Sequence, residues 1–361
     1  MMIPSAPSAV LVKAGRAPLA AAVAAAVAVL AAGCAGSAAR SGTGRPTARP
    51  SATADPSATA ASPAREPAGL GVLGRFRTGQ RWLTFSEPAH TGPTGDHLGE
   101  RLLRVQVWYP RAGAAGRPPR GPLPLIAFGP GFMQCGRPYS RLLRAWASAG
   151  YVVAVVNFPL SDCLAAAPTE SDLVNQPADM SYAITRLLRL SLARRGTLRG
   201  LRLGRHEIAV AGQSDGGDTV AAVAAAACCV DRRVAAVAVL SGARWPAFPG
   251  GFFASRPVPM LFTQGNADTV NLPGCSVALY HGDPARARYY LDLFGADHTG
   301  PYWGSNQFER VVAAVTVAFF DRYVLGRPAA VRAMRRLGDV PGTSTLFGHG
   351  RGRLTPGPCV T

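Results

Sequence analysis

Lysine is almost missing from this chain. Lys13 is the only one, so the remainder of its 38 basic residues are arginines. Acidic residues are also few, at 20, which leaves a formal net charge of +18. Nucleic-acid binders of that charge gather their basic side chains into Lys-rich or aromatic-flanked patches. Here the arginines are scattered and no binding motif accompanies them, so no nucleic-acid partner is expected. The sequence also lacks any CxxC pair, and two of its seven cysteines, Cys228 and Cys229, are adjacent. That spacing argues against a zinc site. With 361 residues, 48% of them hydrophobic and only 16% charged, the chain can bury one large core, or two domains at most.

A comfortable membrane span is lacking too. The longest apolar stretch, "APLAAAVAAAVAVLAAG" (17–33), is short for one. It follows Lys13 and Arg16 and ends on small residues, as an export signal over 1–33 does. "LAAGC" resembles a bacterial lipobox, although Ala31 stands where leucine is usual and Leu30 lies one place earlier. The resemblance implies that Cys34 is lipidated and that the chain is exported and anchored outside the cytoplasm; an ordinary cleaved signal, with Cys34 incidental, would leave it secreted instead. Residues 35–68 contain no large apolar side chain, and such a segment cannot offset its ordering entropy. It is expected to be a flexible tether. If lipid takes Cys34, six cysteines remain for disulfides in an oxidising compartment, with fifteen pairings open.

From about residue 69 to 326 the pattern is that of an α/β domain. Apolar, strand-like runs fall at 101–110, 123–129, 151–158, 206–212, 233–242, 258–265 and 287–295. Helical spacing is found at 139–150, 177–195, 218–227 and 307–325. The alternation predicts a mostly parallel central sheet with helices on both faces. The Arg-, Gly- and Pro-rich stretch 327–361 is set apart as an extension with no assigned role.

"AVAGQSDGGD" (209–218) sits between a strand and a helix. In that context Gly212-Gln213-Ser214-Asp215-Gly216 is a GxSxG turn that exposes a serine nucleophile at a helix N-terminus. A serine needs a base, and the base needs an orienting acid, here expected later in the chain in the order Ser, acid, His. Of six histidines, only His298, in "LFGADHTG", follows a late strand at its carboxyl edge. Asp268, in "GNADTV", follows the strand before it. Asp297 is a poor alternative, because a side chain rarely reaches its own neighbour's ring. The two oxyanion donors are expected to be the backbone N–H groups of Asp215 and of Phe132 in the loop "FGPGFMQCG". A bridge between Cys135 in that loop and Cys163 after the next strand would stiffen it.

With those residues in place, 100–325 resembles an α/β-hydrolase. "VWYP", "PLPLIAFGPGF" and "YSRLLRAWASAGYVVAVVNFP" are similar to the platelet-activating-factor acetylhydrolase, chlorophyllase and cutinase-like polyester hydrolase branch. The resemblance implies a serine esterase of lipase type acting on a small-molecule or lipid ester, with the three roles carried by Ser214, Asp268 and His298. It implies no metal or organic cofactor, and the protein is expected to act as a monomer. Gln213 stands where histidine often precedes the serine, and Pro130 where histidine is common in the oxyanion loop. The segment "ARWPAFPGGFFASRP" after Gly242 is too short for a separate cap domain. It places Trp245 where the polyester hydrolases are similar in carrying a substrate-wall tryptophan. An acyltransferase or a peptidase would use the same three residues, and a catalytically silent binding lipoprotein would keep the fold.

Overall fold

The structure is a computed structural model that describes residues 74–112, 119–193, 196–198, 200–245, 248–348 and 354–359. The expected signal 1–33, Cys34 and the tether 35–68 lie outside these residues.

Eleven strands and six α-helices are present among the described residues, and they follow one another along the chain. The strands are β1 (Arg77–Glu87), β2 (His90–Thr91), β3 (His97–Leu98), β4 (Arg101–Arg111), β5 (Leu123–Gly129), β6 (Val152–Asn157), β7 (Leu203–Gln213), β8 (Val234–Leu240), β9 (Met260–Gly265), β10 (Arg288–Leu293) and β11 (Ser344–Gly348). The helices are α1 (Ser140–Ala149), α2 (Gln176–Leu192), α3 (Asp215–Ala225), α4 (Pro273–Gly282), α5 (Gln307–Tyr323) and α6 (Ala330–Gly338). β2 and β3 form a separate two-stranded ladder.

The other strands form one mixed sheet in the spatial order β1-β4-β6-β5-β7-β8-β9-β10-β11. Its centre, from β6 to β10, is parallel. On one side β4 runs antiparallel to β6 and β1 antiparallel to β4, and on the other β11 runs antiparallel to β10. Apolar runs such as "LPLIAFG" and "VVAVVN" are buried along their whole length. A strand covered on both faces needs that composition.

Side chains alternate between two cores. Ile208 and Val210 of β7 join the core that holds Met180 of α2, Val220 of α3 and Leu279 of α4. Ala209 and Ala211 join the core that holds Trp146 of α1, Phe319 of α5 and Met334 of α6. α2, α3 and α4 therefore cover one face and α1, α5 and α6 the other.

Every strand and helix expected from periodicity is present within a few residues of its expected ends. The stretch set apart in the sequence, 327–361, supplies α6 and the edge strand β11. Among the described residues three disulfides join Cys135 to Cys163, Cys228 to Cys229 and Cys275 to Cys359.

The chain leaves β5 for β6 on one side of it, then returns to β7 on the other. The strand order thus reverses between β5 and β7. The crevice outside the carboxyl ends of strands at such a reversal is where open α/β sheets hold ligands.

Candidate active site

β7 ends at Gln213 and α3 begins at Asp215, so Ser214 alone makes the turn between them. Its backbone has φ 56° and ψ −124°, a conformation that costs a non-glycine residue on the order of 1–3 kcal/mol. Hydrogen bonds hold it there. Ser214 N–H donates to Leu240 O of β8 at 2.9 Å, and Ser214 O accepts from Gly217 N at 2.7 Å. The glycines are required by space. A Cβ on Gly212 would lie 1.9 Å from Gly216 O, and a Cβ on Gly216 would lie 2.0 Å from Gly129 O at the end of β5. The loop after β5 is therefore seated directly on the serine turn.

Two further loops complete the cluster. Asp268 follows β9, and His298 follows β10. His298 Nδ1 donates to Asp268 Oδ2 at 2.8 Å. The same carboxylate accepts from Gln264 Nε2 at 2.8 Å and from the backbone N–H groups of Val270 and Asn271, each at 2.9 Å. Burial by itself raises the Asp268 pKa. The hydrogen bond and charge of His298, with the Val270 N–H and the Gln264 amide, outweigh burial and hold it below the ordinary carboxylate value. Asp297 turns away, since its Oδ1 accepts from Thr299 N at 3.1 Å and Gly300 N at 2.6 Å. His298 is thus joined directly to Asp268, and to the serine turn through Gln213, whose Nε2 donates to His298 O at 3.2 Å.

The other ring nitrogen of His298 is already engaged. His298 Nε2 lies 3.1 Å from Gln213 Nε2, whereas the hydrogen-bond contact found at Ser214 Oγ comes from Asn271 Nδ2 at 3.5 Å. Asn271 is fixed by a 2.7 Å bond from Nδ2 to Ser241 O. Neither Asn271 nor the reach of Gln213 could be found in the sequence. Both residues have local neighbours that carry no motif for a contact with β8 or with His298.

Phe132 and Asp215, the expected oxyanion donors, flank the serine turn. Among the described residues the Phe132 N–H donates to no protein group, whereas the Asp215 N–H donates to its own carboxyl. The loop that carries Phe132 is pinned by Met133 N to Ser161 O at 2.8 Å and by the Cys135–Cys163 bridge. Burial, with the charges of Glu170 and Asp218, pushes the Asp215 carboxyl up to about 7, while His298 pulls it down. One oxygen of that carboxyl, Oδ2, is buried with no hydrogen-bond partner.

Asp218, fully buried one turn into α3, accepts from the N–H groups of Ala243, Arg244 and Trp245 at 3.0–3.2 Å. The loop after β8 is thereby tied to the serine helix. The Trp245 side chain packs with Cys228, Cys229 and Phe252 against Leu173, Ala222, Ala226 and Phe248. Between β8 and β9 the described residues form no helix or strand.

A cavity of about 630 Å³ lies elsewhere, among α1, α5 and α6, and includes none of these residues. Among the described residues no group of three or more His, Cys, Asp or Glu side chains is placed to hold a metal ion. No helix among them is long and apolar enough to cross a membrane. No family model matches the chain, and no curated protein matches it.

Proposed function

We propose that the protein is a serine hydrolase of carboxylic esters with an α/β-hydrolase fold. One observation carries the reading. A serine in a left-handed backbone conformation stands between a central parallel strand and a helix, and the residue before it, Gln213, contacts a histidine whose Nδ1 bonds a buried carboxylate at 2.8 Å. Strain of this kind persists only where the surroundings enforce it, and it collects at reactive positions.

In the proposed reaction Ser214 Oγ attacks the ester carbonyl as its proton passes to His298 Nε2. The N–H groups of Phe132 and Asp215 receive the developing oxyanion. His298 then hands the proton to the leaving alkoxide, which departs as the alcohol and leaves an acyl group on Ser214. Water attacks the acyl-enzyme with the histidine again as base. Asp268 keeps the hydrogen on Nδ1, so that Nε2 has a lone pair to offer, and it stabilises the imidazolium. The reading extends to an exported lipoprotein held to the membrane through Cys34.

A fluorophosphonate probe should label the native protein on Ser214 and leave Ser214→Ala unlabelled. Hydrolysis of a graded series of p-nitrophenyl esters should vanish with the same substitution. Native protein that neither labels nor hydrolyses any member of the series would end this reading.

A further inference from the structure

A chain of hydrogen bonds crosses the site without passing through Ser214. Gly131 N donates to Tyr139 OH at 3.2 Å, and Tyr139 OH donates to Gln213 Oε1 at 2.7 Å. The other end of the amide, Gln213 Nε2, reaches His298 O at 3.2 Å and His298 Nε2 at 3.1 Å. His298 Nδ1 closes the chain on Asp268 at 2.8 Å. Tyr139 is fully buried and Gln213 is 1% exposed, so water does not compete for these groups.

The proton positions follow from the partners. A backbone carbonyl only accepts, so the amide end at His298 O is the NH₂ end. An N–H cannot point at another N–H, so His298 Nε2 carries its lone pair and Nδ1 its hydrogen. That is the form a general base needs. Yet the lone pair is spent on Gln213 rather than on the Ser214 hydroxyl.

We propose that Gln213 is the positioning residue of His298: in the resting protein its amide orients the imidazole by occupying Nε2, and Ser214 must displace that donor before attack. The proposal rests on the reading of Ser214 as nucleophile. The amide and the loop that carries Phe132 cannot shift independently. A Cβ on Gly131 would lie 2.8 Å from Gln213 Oε1 and 3.2 Å from Ser214 Cβ. A proton on Nε2 would set N–H against N–H across the 3.1 Å contact with the amide. The charged groups about the ring are Asp268, bonded to Nδ1, and Asp215 at the start of α3, which acts through its charge. Asp297 spends its carboxylate on its own turn.

The test has a direct arm and a functional arm. In ¹⁵N-labelled native protein a scalar coupling through the hydrogen bond should join Gln213 Nε2 and His298 Nε2. Imidazole titration by NMR and the acid limb of fluorophosphonate labelling should then be compared in native protein, Gln213→Leu, Gln213→Glu and Tyr139→Phe. Gln213→Glu puts an acceptor opposite Nε2 and should move both midpoints up by about one pH unit or more. Gln213→Leu removes the opposing donor, and Tyr139→Phe frees the amide to turn, so both should move the midpoints the same way by less. A residue that only packs would lower thermal stability and leave the midpoints unmoved. Absent coupling with coincident midpoints overturns the proposal, and the native measurement decides the contact even if a variant does not fold. Coupling in a native protein that never labels would keep the contact and remove the hydrolase reading instead.

Discussion

At the scale of single residues, the contest between two adjacent loops decides which acid serves His298. Asp268 Oδ2 faces the ring, whereas Asp297 binds its own turn at Thr299 and Gly300. Asp268→Asn should lower kcat/KM on one ester on the order of 10⁴-fold, because the amide favours the wrong tautomer. Asp297→Asn should lower it by less than about tenfold, since truncating an exposed turn contact has a small effect. A crippled Asp297 variant would reverse the assignment.

Asp215 gives a second residue-scale expectation, this time in stability. Its folded-state pKa is raised to about 7, against about 3.9 for a free aspartate. Between those values the folded protein retains a proton that the unfolded chain has lost, so stability falls as pH rises through this window. Asp215→Asn removes that slope. The variant's melting temperature relative to native should climb from about pH 4 to about pH 7 and level off above. A difference that stays flat across the window would refute this. Ser214 and Asp215 are legible in the sequence because a glycine-flanked serine between a strand and a helix is a local pattern. Gln213 and Asn271 are not, because their partners lie far along the chain.

At the scale of elements, the serine turn depends on how closely β5, β7 and α3 approach. Gly129 of β5 pairs with Gly212 of β7, and Gly216 of α3 lies over both. A methyl on Gly216 would meet Gly129 O at 2.0 Å, and a backbone carbonyl cannot swing aside as a flexible side chain can. Gly216→Ala should therefore push the loop after β5 off the turn. Fluorophosphonate labelling should drop by at least about a hundredfold, with a loss of thermal stability, since overpacking typically costs about 1–3 kcal/mol. Labelling at the native rate would show that the loop yields.

The elements missed by periodicity have a common cause. β1, "RTGQRWLTFSE", alternates weakly, and only its register with β4, from Arg77 opposite Arg111 to Glu87 opposite Arg101, makes it a strand. α4, "PGCSVALYHG", is too apolar and too glycine-rich to show a helical stripe. Buried Arg101 of β4 illustrates the same limit. It bonds Asp172 and Asp179 at 2.6–2.9 Å, tying the second strand of the sheet to the start of α2, and no spacing in the sequence announces it.

At the scale of the whole molecule, the chain's end is part of the fold. β11 pairs with β10, and Cys359 is bridged to Cys275 in α4 across 84 residues. A Cβ on Gly274 would lie 2.2 Å from Pro358 O, so the tail runs directly against that helix. Replacing Cys275 and Cys359 together by serine should lower thermal stability by about 2–4 kcal/mol, as for a typical bridge, and leave ester hydrolysis in place. An unchanged melting curve would show that the bridge constrains nothing. The sequence by itself determined the alternation of strand and helix, the buried parallel centre of the sheet, and the place of Ser214. Each is written in a repeat of a few residues or in a turn that only certain side chains can make. Only the tertiary structure decided which cysteines pair, which strands close the edges of the sheet, and which donor holds His298 Nε2. These depend on groups that meet across tens of residues, where strand register and close packing set the distance and no local pattern carries the information.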